Sequence, residues 1–246
     1  MGFRTVSVVL ELPGVLEEMG LSSHTLAIAQ HADSAVFPDV RIKNLFENFL
    51  GHAITQSQIC PAGLFKKNKY RTKEAVAEAR AQLRRRYRLP QESRVVLGVG
   101  YADDRKGADL FVEAGLELIR KDPRVVLIWL GHWDDPMKSK VESRLAGGSA
   151  KSRFIFPGFE RDTDLHYAGA DVFALTSRED PFPAVVLEAL DAGVPVVGFE
   201  GSGGAAALLA DGCGALAPMG DCAVFAEKIR MFLENVSLRK EAGERG

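Results

Sequence analysis

The chain has 246 residues, room for one large domain or two modest ones, and its 46% hydrophobic and 26% charged residues are ordinary for a globular protein. A net charge of −2 argues against a general nucleic-acid binder. Cys60, Cys213 and Cys222 lack metal-ligand or redox spacing and read as reduced thiols of the cytoplasm, and no apolar run reaches the length of a membrane span.

The first segment, MGFRTVSVVLELPG, has one Arg and a short apolar run that Glu11 and Pro13 interrupt, so it reads as a strand (5–10) entering a turn rather than a signal peptide. A strand over 34–38 and a helix over 39–51 follow. Lys66, Lys67, Lys69, Arg71 and Lys73 then lead into a helix over 73–87. Arg80, Arg84, Arg85, Arg86 and Arg88 in that stretch face only Glu74 and Glu78. This 66–88 stretch reads either as a solvated connecting helix or as a cationic face for anionic lipid or phosphate. From Ser93 the rhythm is regular. Strands are expected over 94–99, 125–130, 153–156, 171–175 and 194–199, and helices over 108–120, 136–145, 162–168, 184–192, 205–210 and 223–234. Several strands are Val- and Ile-rich without polar alternation, as strands covered on both faces are. Alternating β and α units imply an α/β fold with a doubly wound parallel sheet.

The most informative stretch is SREDPFPAVVLEALDAGVPVV, residues 177–197. Pro181 and Pro183 suit a helix's first turn and not its interior, so the helix begins near Pro183 and Gly193 ends it. Its start offers free N–H groups and the positive dipole end to an anion. Asp180 and Glu188 lie eight residues apart, roughly 12 Å if helical. That is too far for the carboxyl pair of a glycosidase, which sits about 5–9.5 Å apart. It fits two acids holding the diols at opposite ends of a nucleotide-sugar, with the diphosphate between them.

In RVVLGVGYADDRKGADLF, residues 94–111, Asp103 stands where a dinucleotide fingerprint needs its third glycine, so NAD is rejected. Arg105 and Lys106 instead stand where a strand's carboxyl end meets ligand and can neutralise a departing diphosphate. Gly203 and Gly204, between a strand and a helix, permit close backbone approach and a phosphate cradle. Phe156-Pro157-Gly158-Phe159 ends a strand where it would flank a base ring or form a core edge.

Together these pieces resemble the donor-binding domain of family 4 glycosyltransferases, the group 1 transferases of the two-domain GT-B fold, over about residues 93–235. The most specific element is DPFPAVVLE followed by ALDAGVPVV. The resemblance implies that Glu188 holds the nucleotide ribose, Asp180 the transferred sugar and Lys106 the diphosphate. Tyr101 occupies the place of the family's Arg, for which Arg105 compensates. Phe182, Gly203, Gly204, Gly158 and Phe159 are assigned to the nucleotide side, and Pro183 and Ala207 replace the family's usual glycine and acid. Residues 1–66 resemble the tail of the acceptor-side domain, with ICPAGLFKKN (59–68) as the strand entering the linker and Leu10 in the place of a His.

The expected organisation is therefore a partial acceptor-side domain over 1–66, a basic linker helix over 67–92 and a donor-binding domain over 93–246. The implied activity is metal-independent, retaining transfer of a sugar from a nucleotide-diphosphate sugar to a glycan, lipid or protein, with no other cofactor. The implied location is the cytoplasm, with membrane-surface contact through 66–88. Two alternatives stand beside it: a non-catalytic nucleotide-sugar-binding module, and a sugar-nucleotide epimerase using His24, His31 or His52.

Overall fold

A computed structural model describes residues 4–9, 11–61, 63–209 and 211–246. The N-terminal half contains β1 (Val6–Val8), α1 (Pro13–Glu18), α2 (Ser22–His31), β2 (Ser34–Phe37), α3 (Val40–Leu50) and β3 (Ser57–Ile59), and its strands form a parallel sheet in the order β1-β2-β3. A small core of Leu12, Phe37, Ile42 and Phe46 covers one face of it. The linker leads to α4 (Lys73–Arg86). Beyond it come β4 (Arg94–Val99), α5 (Ala108–Lys121), β5 (Val125–Leu130), α6 (Asp135–Leu145), β6 (Phe154–Gly158), α7 (Asp164–Gly169), β7 (Val172–Leu175), α8 (Ala184–Asp191), β8 (Val196–Phe199), α9 (Ala205–Leu208), β9 (Gly214–Ala217), α10 (Cys222–Glu234) and α11 (Val236–Arg245).

The six C-terminal strands pair in parallel in the order β6-β5-β4-β7-β8-β9. This is a doubly wound sheet whose order reverses between β4 and β7, and ligands bind such sheets outside the strand carboxyl ends at that reversal. Its buried strands serve two cores by alternation. Val125, Leu127 and Trp129 of β5 face α5, α6 and α10, while Val126, Ile128 and Leu130 face the side of α4, α7 and α8. Gly98 belongs to this packing, since a Cβ there would lie 2.6 Å from the Trp129 ring.

The 66–88 segment is neither a freely solvated face nor an open cationic one. Lys66 bonds Asp164, Lys69 bonds Asp162 and Arg71 bonds Asp191. Arg80 and Arg84 turn inward to Asp171, Arg85 meets Glu78, and Arg86 meets Glu160. Asn68, buried, adds its amide N–H to Asp191 at 2.6 Å and its side chain to the Asp164 carbonyl. Much of the basic charge therefore docks the linker onto the six-stranded domain. Among the described residues no helix is long and apolar enough to cross a membrane.

Candidate functional site

Three loops converge at the carboxyl ends of β4, β7 and β8. The β4 loop is shaped by Gly107, whose φ of +66° opens α5. A side chain there would also place its Cβ 2.1 Å from the Thr176 carbonyl of the β7 loop. The contact is reciprocal: the Thr176 hydroxyl donates to the Lys106 carbonyl, and the Arg178 N–H donates to the Arg105 carbonyl at 2.8 Å. Arg178 then forks onto Asp109 with bonds of 2.9 and 2.8 Å. Burial opposes the Asp109 charge, but the bonds from Arg178 and Lys140 outweigh it and hold the carboxyl at about 2. This clamp fixes one loop against the other.

Lys106 and Asp180, expected to serve opposite parts of one ligand, meet directly. The Lys106 ammonium donates to Asp180 Oδ2 at 2.5 Å, and the Ser177 hydroxyl approaches the same oxygen at 3.4 Å. Asp180 is buried and Lys106 half-buried. Arg105 reaches the Glu179 carbonyl at 3.3 Å on the outer side of the same junction, and Tyr101 is exposed on the β4 loop.

The third loop follows β8. The Asp180 N–H donates to the Ser202 carbonyl at 2.6 Å, and the Gly204 N–H donates back to the carbonyls of Asp180 and Pro181 at 3.3 and 3.1 Å. Gly203, with φ of +141°, lies so close that a Cβ would come within 1.7 Å of the Asp180 carbonyl oxygen. The Gly204 amide is taken by the Asp180 segment, and the helix expected over 205–210 is a single turn, Ala205–Leu208. The glycines' demonstrable work is to let this loop lie against Asp180 and Phe182. From the N-terminal half, Arg41 of α3 donates to the Gly201 carbonyl at 2.6 Å and the Gly203 carbonyl at 3.5 Å, closing this side of the site.

The helix after the prolines runs over Ala184–Asp191, and Gly193 follows with φ of +70°, in line with the reading from Pro183 and Gly193. The Val186 N–H of its first turn is taken by the Pro183 carbonyl. Glu188 is half-buried above Tyr167 of α7. Burial first, and the neighbouring Glu188 carboxylate second, push the Tyr167 phenol well above its ordinary value. Gly158 ends β6, and exposed Phe159 stacks on His132 with centroids 5.1 Å apart and planes at 4°. Sequence reasoning missed Arg41, Arg178, Asp109, Tyr167 and His132. Only the topology brings them to these loops, and no spacing within a motif points to them.

Comparison with known proteins decides the family. The family described as glycosyl transferases group 1 matches residues 79–246. The chain belongs to the group 1 glycosyltransferases. Among curated group 1 relatives, the lipopolysaccharide core biosynthesis glycosyltransferase LpsE of Rhizobium meliloti is 32% identical over 71% of this chain and 48% of its own. The mannosylfructose-phosphate synthase of Agrobacterium fabrum is 30% identical over 50% of this chain and 28% of its own. The chain thus spans about half or less of the length of these relatives. The structure of Anabaena Alr3699/HepE in complex with UDP and glucose superposes with a TM-score of 0.86 at 21% identity, over 98% of this chain and 65% of that one. WaaG, a glycosyltransferase involved in lipopolysaccharide biosynthesis, superposes at 0.78 with 19% identity, over 100% of this chain and 70% of its own. These likenesses establish the GT-B fold for this group 1 chain.

Proposed function

We propose that this chain binds a nucleotide-diphosphate sugar at the reversal between β4 and β7, and that the protein to which it belongs transfers the sugar to a glycan, lipid or protein acceptor with retention at the anomeric carbon. The observation that carries this reading is the meeting of Lys106 and Asp180 at 2.5 Å from two different loops at that reversal. The pair puts a cation and a hydroxyl-accepting carboxylate where a sugar joins its diphosphate. In the proposed complex Lys106 turns part of its donor capacity to the diphosphate, Arg105 adds a second charge, and Asp180 accepts from sugar hydroxyls. Glu188, one end of the α8 motif, accepts from the ribose diol, with Tyr167 beneath it as support. Phe159 and His132 offer a stacking face to the base, beside Gly158.

As the bond from the anomeric carbon to the phosphate oxygen breaks, the electron pair leaves with the diphosphate, and Lys106 and Arg105 stabilise the growing charge. The acceptor hydroxyl adds from the same face and its proton passes to the departing phosphate oxygen. This scheme asks for no resident metal and no protein nucleophile. Support for UDP as donor comes from the superposed Anabaena protein, which was crystallised with UDP and glucose. A cytoplasmic place for the chain belongs to the same reading. The epimerase alternative is weaker, because His24 and His52 line an N-terminal cavity that shares no residue with the three loops.

A thermal-shift panel of UDP, GDP, ADP and TDP with their sugars tests donor binding, since a ligand at a hundred times its Kd raises stability by about 2.7 kcal/mol. NMR of the product's anomeric proton tests retention. No shift with any nucleotide overturns the binding reading, and an inverted product overturns the mechanism.

A further inference from the structure

Away from the three loops, a cavity of about 540 Å³ opens between the linker, α4, the turn after α8, and α11. Arg71, Lys73, Arg80, Arg239 and Lys240 line it, against two carboxylates, Asp191 and Glu244. Asp191 is already engaged by Arg71 at 2.7 Å and by the Asn68 amide at 2.6 Å. Among the described residues, Lys73 and Lys240 meet no carboxylate within ion-pair distance, and both are exposed. Behind the wall three guanidiniums share one carboxylate: Arg80, Arg84 and Arg239 stand 3.0, 3.8 and 3.7 Å from Asp171. Asp171 is buried and also accepts from the Val95 N–H at 2.9 Å.

The other N–H groups of these three guanidiniums go to backbone carbonyls, Arg80 to Ala170, Arg84 to Arg80, Gln91 and Ser93, and Arg239 to Phe232 and Leu233, so formal positive charge is in excess in a part-buried region. Arg239 registers this. Burial lowers its pKa, Asp171 opposes the change, and repulsion from Arg80, Arg94 and Arg84 adds to it. An excess of partly buried cation is costly unless a counter-charge arrives. The volume lies within the range of small-molecule sites and exceeds the needs of a bare ion. Tyr70, Val76 and Ala192 supply a less polar lining for an organic body.

We propose that this cavity binds a phosphate-bearing small molecule, with Lys73 and Lys240 meeting the phosphoryl oxygens at the rim and the guanidiniums of Arg80 and Arg239, which are held on Asp171 and backbone carbonyls, supplying positive potential behind them. The phosphoryl group is the shared chemistry of two sources, a free sugar phosphate and a phosphomonoester lipid headgroup. Occupancy would draw the linker, the α8 turn and α11 onto one ligand. The proposal does not rest on the donor site, and the two readings fail separately.

The test titrates the full 246-residue chain calorimetrically with glucose 6-phosphate, and in a second arm with phosphatidylcholine vesicles with and without phosphatidic acid. Each arm is run in chloride of matched ionic strength, because screened surface attraction would vanish there. The wild-type chain is expected to bind one of the probes saturably. Lys73→Glu/Lys240→Glu, and the milder Lys73→Gln/Lys240→Gln should the reversal fold poorly, should weaken it about tenfold or more. The same variants should keep the nucleotide affinity of the wild-type chain, and Lys106→Ala should keep the glucose 6-phosphate affinity. Binding of the soluble probe assigns a free molecule, and binding of the phosphatidic acid vesicles alone assigns a headgroup. Binding of neither probe, affinity indifferent to both lysines, or equal loss in Lys106→Ala would overturn the proposal.

Discussion

Replacing Lys106 by Met removes one half of an ion pair whose side chains are only 18% and 7% exposed. Asp180 would keep its charge with the Ser177 hydroxyl at 3.4 Å as its remaining side-chain partner. Breaking a buried pair from one side costs roughly 3–5 kcal/mol, and the partial exposure of Lys106 points to the lower end, about 3 kcal/mol. Asp180→Asn leaves a cation that can still turn to water and should cost about 1 kcal/mol. The double variant Lys106→Met/Asp180→Asn should then be less destabilised than the sum, with a coupling of about 2 kcal/mol. Urea denaturation with an unchanged m-value is the measurement. The same three proteins carry the ligand prediction. Lys106→Met should lose about 1.5–3 kcal/mol of nucleoside-diphosphate affinity. Asp180→Asn should leave the diphosphate at least as tightly bound, because it frees Lys106, yet weaken the sugar-bearing ligand. Stability changes that add within about 0.5 kcal/mol would show that the pair is not coupled. Equal losses for Asp180→Asn with and without the sugar would remove Asp180 from the sugar.

Glu188→Ala should weaken the nucleoside diphosphate and the nucleotide-sugar by similar factors, about tenfold or more by calorimetry, since its proposed partner is the ribose common to both. Gly203→Ala places a Cβ 1.7 Å from the Asp180 oxygen at a φ of +141°, and should cost at least about 3 kcal/mol in a chemical melt; a near-neutral change would contradict the close approach of the two loops. Arg41→Ala removes two bonds between the halves, and should speed proteolytic nicking of the linker while leaving the melt of the six-stranded domain unchanged. Burial lowers His166 from 6.5 to about 4, so the unfolded chain binds the proton first. Its contribution is therefore complete above pH 6.5 and falls by about 3 kcal/mol as pH drops to 4. A His166→Gln chain with the same slope in that window would count against this assignment.

The architecture of the six-stranded domain was legible because its strands are buried on both faces and its punctuation is strong. Val- and Ile-rich runs gave β4, β5, β7 and β8, and Pro183 and Gly193 bracketed α8. β9 was not expected, since Gly214–Ala217 carries no β-branched or aromatic residue and is a strand only through its pairing with β8. α2 and α11 were missed because neither carries a clear apolar stripe; Ile28 of α2 is exposed, and Ala242 is the buried residue of α11. Lys106 and Asp180 were singled out separately by their motifs. Their mutual bond was not, because 74 residues separate them and only the β4–β7 neighbourhood joins their loops. The basic segment misled for a similar reason. Its acidic partners Asp162, Asp164, Asp171 and Asp191 lie roughly a hundred residues downstream, beyond any local count of charge.

The two halves meet the chemistry through one loop. Arg41 of α3 holds the carbonyls of Gly201 and Gly203, the Ser202 carbonyl accepts the Asp180 N–H, and the Asp180 carboxylate holds Lys106. Each link is a direct hydrogen bond, and Gly203 admits no side chain between the last two segments. A displacement of α3 that breaks the first link therefore acts on the backbone that sets the position of Asp180. The converse holds by thermodynamic necessity. A ligand that binds more tightly when the loop is clamped must also favour the docked arrangement of α3, by the same free energy. Among the described residues the N-terminal sheet has three strands, its edge strand exposes Val6 and Val8, and a cavity of about 630 Å³ lies behind Phe37 and Phe46. Among the described residues Arg41 ties this loop to the N-terminal strands, so the geometry of Asp180 is linked to the docking of α3.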